Sequence, residues 1–273
     1  MILFLLSLPG HAQFRSGGRG FNRMPDTTVP PEFSWEIDPA FKEDVFVFAR
    51  LEYERHDKPR TRGGYWWTDG PDADFNFTLR LHQMTSLKVR PGFNSIPIEP
   101  EALSRHPFVY MIEPGKLEFR DDEIKALREY LLNGGFMMVD DFWGDGEWSN
   151  FEYEMKRVFP ERKWHELELD HPIFHTVFDL KEKPQLPAIE NFIYRDWTFE
   201  RRDTDGDGEL DNHDPHYRAL YDDKGRMMVI ACHNTDLGDG WEREGEDERY
   251  FRQFSEKFAY PMTINIIFYA MTH

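Results

Sequence analysis

The sequence predicts an α/β domain built on a doubly wound, mostly parallel sheet. Three observations lead there. Apolar strand runs alternate along the chain with helix-period stripes, the pattern of a sheet covered by crossover helices. The run Phe136-Met137-Met138-Val139 lacks polar alternation, so it suits a strand covered on both faces. The stretch Phe119–Gly144 reads as a whole helix–glycine–strand unit.

Within that unit, Asp121, Asp122 and Glu123 open the helix, where carboxylates satisfy orphan N–H groups and suit the positive end of the dipole. Ile124, Leu127 and Leu131 recur at helical spacing, widened by Ala126 and Tyr130. Gly134 and Gly135 stop the helix, because glycine takes the left-handed conformation that ends one. Asp140 and Asp141 follow the strand directly. Ligands of open parallel sheets bind beyond the carboxyl ends of the strands, which makes this pair a site candidate. The alternative is that they cap the next helix or bond loop N–H groups.

Before the unit, Val45–Leu51 is the first strand, followed by a polar loop at Glu52–Asp74 and a helix at Phe75–Ser86. Asn94–Ile98 and Pro107–Ile112 are further strands. After it, Trp148–Val158 is a helix closed by Pro160, and Lys181–Ala188 is a loop. Tyr217–Tyr221 and Arg226–Cys232 form a hairpin around Asp222-Asp223-Lys224-Gly225. Glu246–Tyr269 is helical, with a bend expected near Pro261. One domain over residues 45–273 accounts for these elements.

Residues 1–13 resemble a secretory signal peptide without its basic leader, and 14–44 read as a linker rich in Gly, Arg and Pro. The apolar segment is too short to span a bilayer, and no other run is long enough to be transmembrane. The expectation is an exported protein, periplasmic or extracellular. Acidic residues number 51 against 33 Lys and Arg, a net charge of -18. That field repels phosphate backbones and favours cations, so no nucleic-acid partner is expected. Cys232 is the single cysteine, which leaves no intrachain disulfide or zinc-thiolate set.

The sharpest local motif is Asp203–Asp214, DTDGDGELDNHD. It places oxygen donors at the EF-hand positions: Asp203, Asp205, Asp207, the Glu209 carbonyl, Asp211 and Asp214, with Gly208 at the sixth and Leu210 at the eighth. Carboxylates this crowded repel unless a hard cation neutralises them. Asp rather than Glu at the twelfth position weakens bidentate closure, and the flanks look extended. The segment therefore reads as an inserted structural calcium loop, similar to single thrombospondin-type calcium repeats, rather than a true EF-hand. The bland reading is an acidic solvated loop.

A second constellation follows from topology. Three loops carrying aromatics each follow an apolar strand, and they share one edge if those strands are parallel. That edge would gather Tyr65, Trp66, Trp67, Trp143 and Trp241 beside Asp69, Asp140, Asp141, Asp236, Asp239 and Glu242. Aromatics beside carboxylates can hold a carbohydrate-like ligand or a protein partner; the competing reading makes the tryptophans half-buried lids on the core. His171 with Asp140 or Asp141 would be an acid–base pair. No G-x-S-x-G elbow, Walker motif or dinucleotide fingerprint is present.

The stretches FVFARLEY, GGYWWTDGPDADFNFTLRLHQMT, PFVYMIEPG, EIKALREYLLNGGFMMVDDFWG, LELDHPIF, NTDLGDGWE and INIIFYAMTH together resemble the bacterial domain of unknown function 4159 family. The helix–GG–strand unit also resembles the class I glutamine-amidotransferase-like superfamily, which implies a flavodoxin-like fold. Active amidotransferases carry a cysteine on the turn after this strand; here the turn holds Val139, Asp140, Asp141 and Phe142. The resemblance thus implies the scaffold without its thiol chemistry. Two readings stand: a non-catalytic ligand- or partner-binding module, or a hydrolase of a sugar-like or polar substrate acting through Asp140 or Asp141 and His171.

Overall fold

The runs expected to share a direction do share it. The computed structural model describes residues 28–41, 44–55, 65–201, 209–210 and 212–273. Its strands are β1 (Phe46–Glu52), β2 (Glu54–Arg55), β3 (Val89–Pro97), β4 (Phe108–Ile112), β5 (Leu117–Glu118), β6 (Phe136–Asp140), β7 (His165–Glu166), β8 (His216–Tyr221) and β9 (Met227–His233). Its helices are α1 (Asp72–Met84), α2 (Pro100–Leu103), α3 (Asp121–Leu132), α4 (Gly144–Val158), α5 (Ile189–Arg195), α6 (Asp239–Glu242), α7 (Glu248–Tyr250) and α8 (Tyr260–Thr272).

The main sheet has seven strands in the order β3-β1-β4-β6-β9-β8-β7. The first five are mutually parallel, and beyond β9 the sheet continues through two antiparallel pairings, β9 with β8 and β8 with β7. Numbered along the chain, the parallel five run 2-1-3-4-5, the flavodoxin-like order, whose switch point falls between β1 and β4. The pair β2 and β5 forms a small separate ribbon.

Both faces of the sheet are covered. Phe48, Tyr110, Met138 and Ile230 turn to one side, where α1 contributes Phe77 and Leu81 and α8 contributes Ile264 and Ile267. Leu51, Val109, Met137, Val139 and Val229 turn to the other, against Leu127 and Leu131 of α3 and Phe151 and Met155 of α4. The unbroken apolar run of β6 is therefore explained: Met137, Met138 and Val139 alternate faces and all are fully buried.

Four elements differ from the expectation for physical reasons. β3 begins at Val89 rather than Asn94, because Pro91 and Gly92 disguise its first half; Gly92 has φ +76° and the register with β1 shifts there. α1 starts at Asp72 rather than Phe75, and α4 at Gly144 rather than Trp148, since polar first turns hide helix starts. The bend at Pro261 is instead a widened π-helical stretch over Phe251–Ala259, in which the Tyr260 N–H reaches back to the Ser255 carbonyl. Pro261 then sits in the first turn of α8, where its missing N–H is harmless. Among the described residues, no helix is long and apolar enough to cross a membrane. The expected signal segment, most of the expected linker, and Asp203, Asp205, Asp207 and Asp211 of the expected calcium loop lie outside the described residues.

Candidate functional site

Four residues at the carboxyl end of the sheet hold left-handed backbone. Glu113 directly follows β4 (φ 49°), Asp141 follows β6 (φ 54°) and Asn234 follows β9 (φ 60°). Asp69 (φ 62°) stands in the segment leading from β1 into α1. Residues with a Cβ enter this region rarely, Asp and Asn most readily, and such strain gathers at ligand sites.

Each position is held from below. Arg50, wholly buried in the middle of β1, donates to the Trp66 carbonyl at 3.0 Å and the Thr68 carbonyl at 2.7 Å. It also makes a two-pronged ion pair with Asp74 of α1, at 3.1 and 2.9 Å. One guanidinium thus ties the turn that presents Asp69 to both the sheet and a helix. Asp141 Oδ1 accepts from Trp143 Nε1 at 2.9 Å. The loops after β6 and β9 close on each other by a Phe142–Thr235 bridge and an Asn234 N–H bond to the Phe142 carbonyl at 2.9 Å. Asp236 Oδ1 caps the Asp239 N–H at 2.7 Å, and Asp239 accepts from the Ile189 N–H.

The result is two carboxylate triads with a shared member. Oxygens of Asp69, Asp141 and Asp236 lie within 4.8 Å of one another, and so do oxygens of Asp69, Asp239 and Glu242. Burial first, then the charges of Glu242, Asp239 and Asp141, push the Asp69 carboxyl well above the usual range. Burial and neighbouring carboxylates push Asp236 and Asp239 the same way. Asp140, beside them, is fully buried; burial and the Asp141 charge push it up, against bonds from the Gly238 N–H at 3.0 Å and the Tyr110 hydroxyl at 3.3 Å. Asp69 Oδ2 and Asp140 Oδ1 are buried without a hydrogen-bond partner.

So the topology brings Asp69, Asp141, Asp236, Asp239 and Glu242 together, with Asp140 adjoining. It treats the aromatics differently. Trp143 and Trp241 are fully buried, and Trp241 packs its ring 4.6 Å from Phe77, so neither offers a face to a ligand. Trp66 is buried as well, while Tyr65 and Trp67 stay partly exposed, with Arg55 over the Tyr65 ring at 3.3 Å. For these large rings, burial in the core outweighs display.

His171 is elsewhere. Its Nδ1 accepts from the Ile173 N–H at 3.2 Å and its Nε2 meets the Tyr221 hydroxyl at 3.4 Å. Tyr221 pairs with Met227, at the start of β9, whereas Val139, the neighbour of Asp140, pairs with Ala231. The two ends are separated by roughly 13 Å along the strand at about 3.3 Å per residue. An acid–base pair of His171 with Asp140 or Asp141 is not formed. Cys232 is buried and its thiol is pushed well up by burial, which keeps it un-ionised and inert.

Arg50 and Gly238 escaped the sequence reading. Arg50 had a signal, a lone charge inside the apolar run FVFARL. Gly238 had none, because only the packing shows why a side chain is excluded there.

Of the calcium-loop positions, Glu209 and Asp214 are described, and the Asp214 carbonyl accepts from Asn234 Nδ2 at 2.9 Å. The end of that loop is thereby fastened to the same rim.

These features define a class: a doubly wound α/β domain whose parallel strands deliver a carboxylate cluster to their carboxyl-terminal edge. The chain belongs to the family described as Domain of unknown function (DUF4159), whose model matches residues 47–271. Comparison with curated proteins gives no match.

Proposed function

We propose that the protein is a non-catalytic binding module whose rim takes a positively charged or donor-rich ligand. The observation that carries this is Asp69, which belongs to both triads and keeps Oδ2 buried without a partner. Carboxylates gathered and desolvated in this way repel one another until a cation or a set of N–H and O–H donors offsets them. The hydrolase alternative lacks its His171 partner. The aromatic platform expected for a sugar shrinks to Tyr65 and Trp67, which shifts the ligand chemistry from stacking towards charge.

Two further parts belong to the proposal. The Asp203–Asp214 loop holds a structural calcium ion, supported by its donor spacing and by the fastening of Asp214 to Asn234. The protein is exported, supported by the apolar segment Met1–Leu8 and the small residues after it.

The binding reading is tested by melting the full chain with glucosamine, spermidine or maltotriose, each with and without a chelator. At least one should raise the melting temperature, and Asp69→Asn with Asp236→Asn should abolish the rise. A wild-type melt that none of them moves, or a rise that survives both substitutions, overturns the reading of an organic ligand at the rim. For the loop, calcium at about 100 times its Kd should stabilise by about 2.7 kcal/mol, a gain that Asp203→Asn with Asp205→Asn should reduce. Export is checked by fusing residues 1–44 to a reporter enzyme that matures only outside the cytoplasm; an inactive fusion sinks that part.

A further inference from the structure

We infer that the rim is a two-cation site, in which Asp69, Asp141 and Asp236 hold one divalent ion and Asp69, Asp239 and Glu242 hold a second, with Asp69 bridging them. This rests on the reading of the rim as a binding site and names the ligand class for it. It is separate from the ion proposed for the Asp203–Asp214 loop.

A hard cation with oxygens at about 2.4 Å cannot have two ligands more than about 4.8 Å apart, twice the bond length. Both triads keep their oxygens within 4.8 Å. Both triads also contain Asp69, and a carboxylate has two oxygens, enough to serve an ion on each side. The donor set is oxygen alone, with no histidine or cysteine in either triad, which selects calcium, magnesium or manganese over zinc or copper.

An acidic cluster by itself proves nothing, since such groups can share protons instead. A second observation points to a ligand. Asp140 has no exposed surface, and its Oδ1 has no partner. It directly precedes Asp141, a member of the first triad. Its other oxygen accepts from Gly238 N–H, and a Cβ on Gly238 would lie 2.5 Å from Asp69 Oδ2, the other orphaned oxygen. Gly238 thus lies against the orphaned Asp69 Oδ2 and bonds the Asp140 carboxylate, whose second oxygen is the other orphan. Orphaned acceptors of this kind are rare in native folds, and an ion or water normally satisfies them.

Charge balance agrees. Arg50 is engaged by Asp74, and Arg243 is shared among Glu190, Glu242 and Glu246. Two divalent ions carry four positive charges, enough to offset most of the charge of five ionised carboxylates. The backbone is also arranged before any ion arrives: Asp69 and Asp141 are both held left-handed, and Asp141 and Asp236 are oriented by bonds from Trp143 and Asp239.

Chelator-treated full-length protein, carrying Asp203→Asn, Asp205→Asn and Asp207→Asn to silence the loop, is titrated calorimetrically with calcium. Two ions per chain are expected. Asp69→Asn, which the left-handed position tolerates, should remove both. Asp236→Asn should weaken one by more than about tenfold and spare the other, and Glu242→Gln should do the converse. With manganese, the loop-silenced protein should give the spin-coupled resonance of a paired site, and Asp69→Asn should not. Fewer than two ions, or two ions retained in Asp69→Asn, overturns the inference. Should Asp69→Asn fail to fold, as circular dichroism would show, the two single-ion variants decide alone. A spermidine or glucosamine shift that persists in chelator, with no calcium bound, sinks this inference and leaves the binding reading intact. Two bound ions with no organic ligand sinks the organic-ligand part of that reading only.

Discussion

The Gly238 amide donates to Asp140 Oδ2 at 3.0 Å across 98 positions of chain, and the same glycine abuts the Asp69 carboxylate. A Cβ at 238 would stand 2.5 Å from Asp69 Oδ2 and 3.1 Å from the Tyr110 hydroxyl. The backbone there is ordinary helix, φ −60°, so the demand for glycine is steric and not conformational. Gly238→Ala should therefore overpack the junction and destabilise the fold by about 1–3 kcal/mol. In urea, the midpoint should fall with an unchanged slope; an unmoved midpoint would show that the rim yields freely.

The Arg50–Asp74 pair is the main strut beneath that junction. Both side chains are fully buried, and the guanidinium also holds two carbonyls of the turn before Asp69. Asp74→Ala leaves a buried cation without its counter-ion and should destabilise by about 3–5 kcal/mol. Arg50→Met should do as much, since it orphans the carboxylate and the carbonyls together. The double variant should lose less than the sum of the two, because each single leaves a charge stranded. A denaturant double-mutant cycle measures the difference; additive losses would show that the two side chains act independently.

Trp241 separates packing from polarity. Its ring fills the core between Phe77 and Tyr110, but its Nε1 is buried without an acceptor. Trp241→Phe keeps the aromatic packing and removes the stranded donor, two opposed effects that should leave stability within about 1 kcal/mol. Trp241→Ala empties the site and should cost about 3–5 kcal/mol. Thermal melts of the two variants report the gap, and equal losses would mean that the indole N–H is satisfied in solution.

What could be read from residues alone, and what could not, divides along physical lines. β4, β6 and β9 were legible because two-sided burial forces unbroken apolar runs, and α3 because an acidic first turn and a double glycine bracket its stripe. The shared direction of β1, β6 and β9 then placed Asp69, Asp141, Asp236, Asp239 and Glu242 on one edge, as the triads show. The aromatics misled, because Trp143 and Trp241 lie in stretches of polar composition yet are fully buried. His171 misled because chain order says nothing about which end of a sheet a turn will reach. β3 was half hidden, its proline and positive-φ glycine being turn residues by composition and strand residues by pairing. The π-helical stretch before Pro261 is a compromise between ladder and ring that no local pattern announces.

Glu166 gives the fold an acid-sensitive clasp. Sitting in the edge strand β7, it meets Lys183 at 2.7 Å, His216 at 3.2 Å and Arg218 at 3.2 Å. Partial burial alone would raise its carboxyl, but the bonds from His216 and Lys183 outweigh that and hold it down at about 2. A carboxyl depressed on folding contributes stability that is fully present above its unfolded value, about 4.3, and is lost as pH falls from there through about 2. Because the side chain is partly solvent-exposed, the contribution should be no more than about 1 kcal/mol. Glu166→Gln should thus be less stable than wild type by about that amount above pH 5, and the two denaturation curves should converge as the pH approaches 2. A constant gap between them from pH 6 down to about 2.5 would place the effect of the substitution in packing and not in charge.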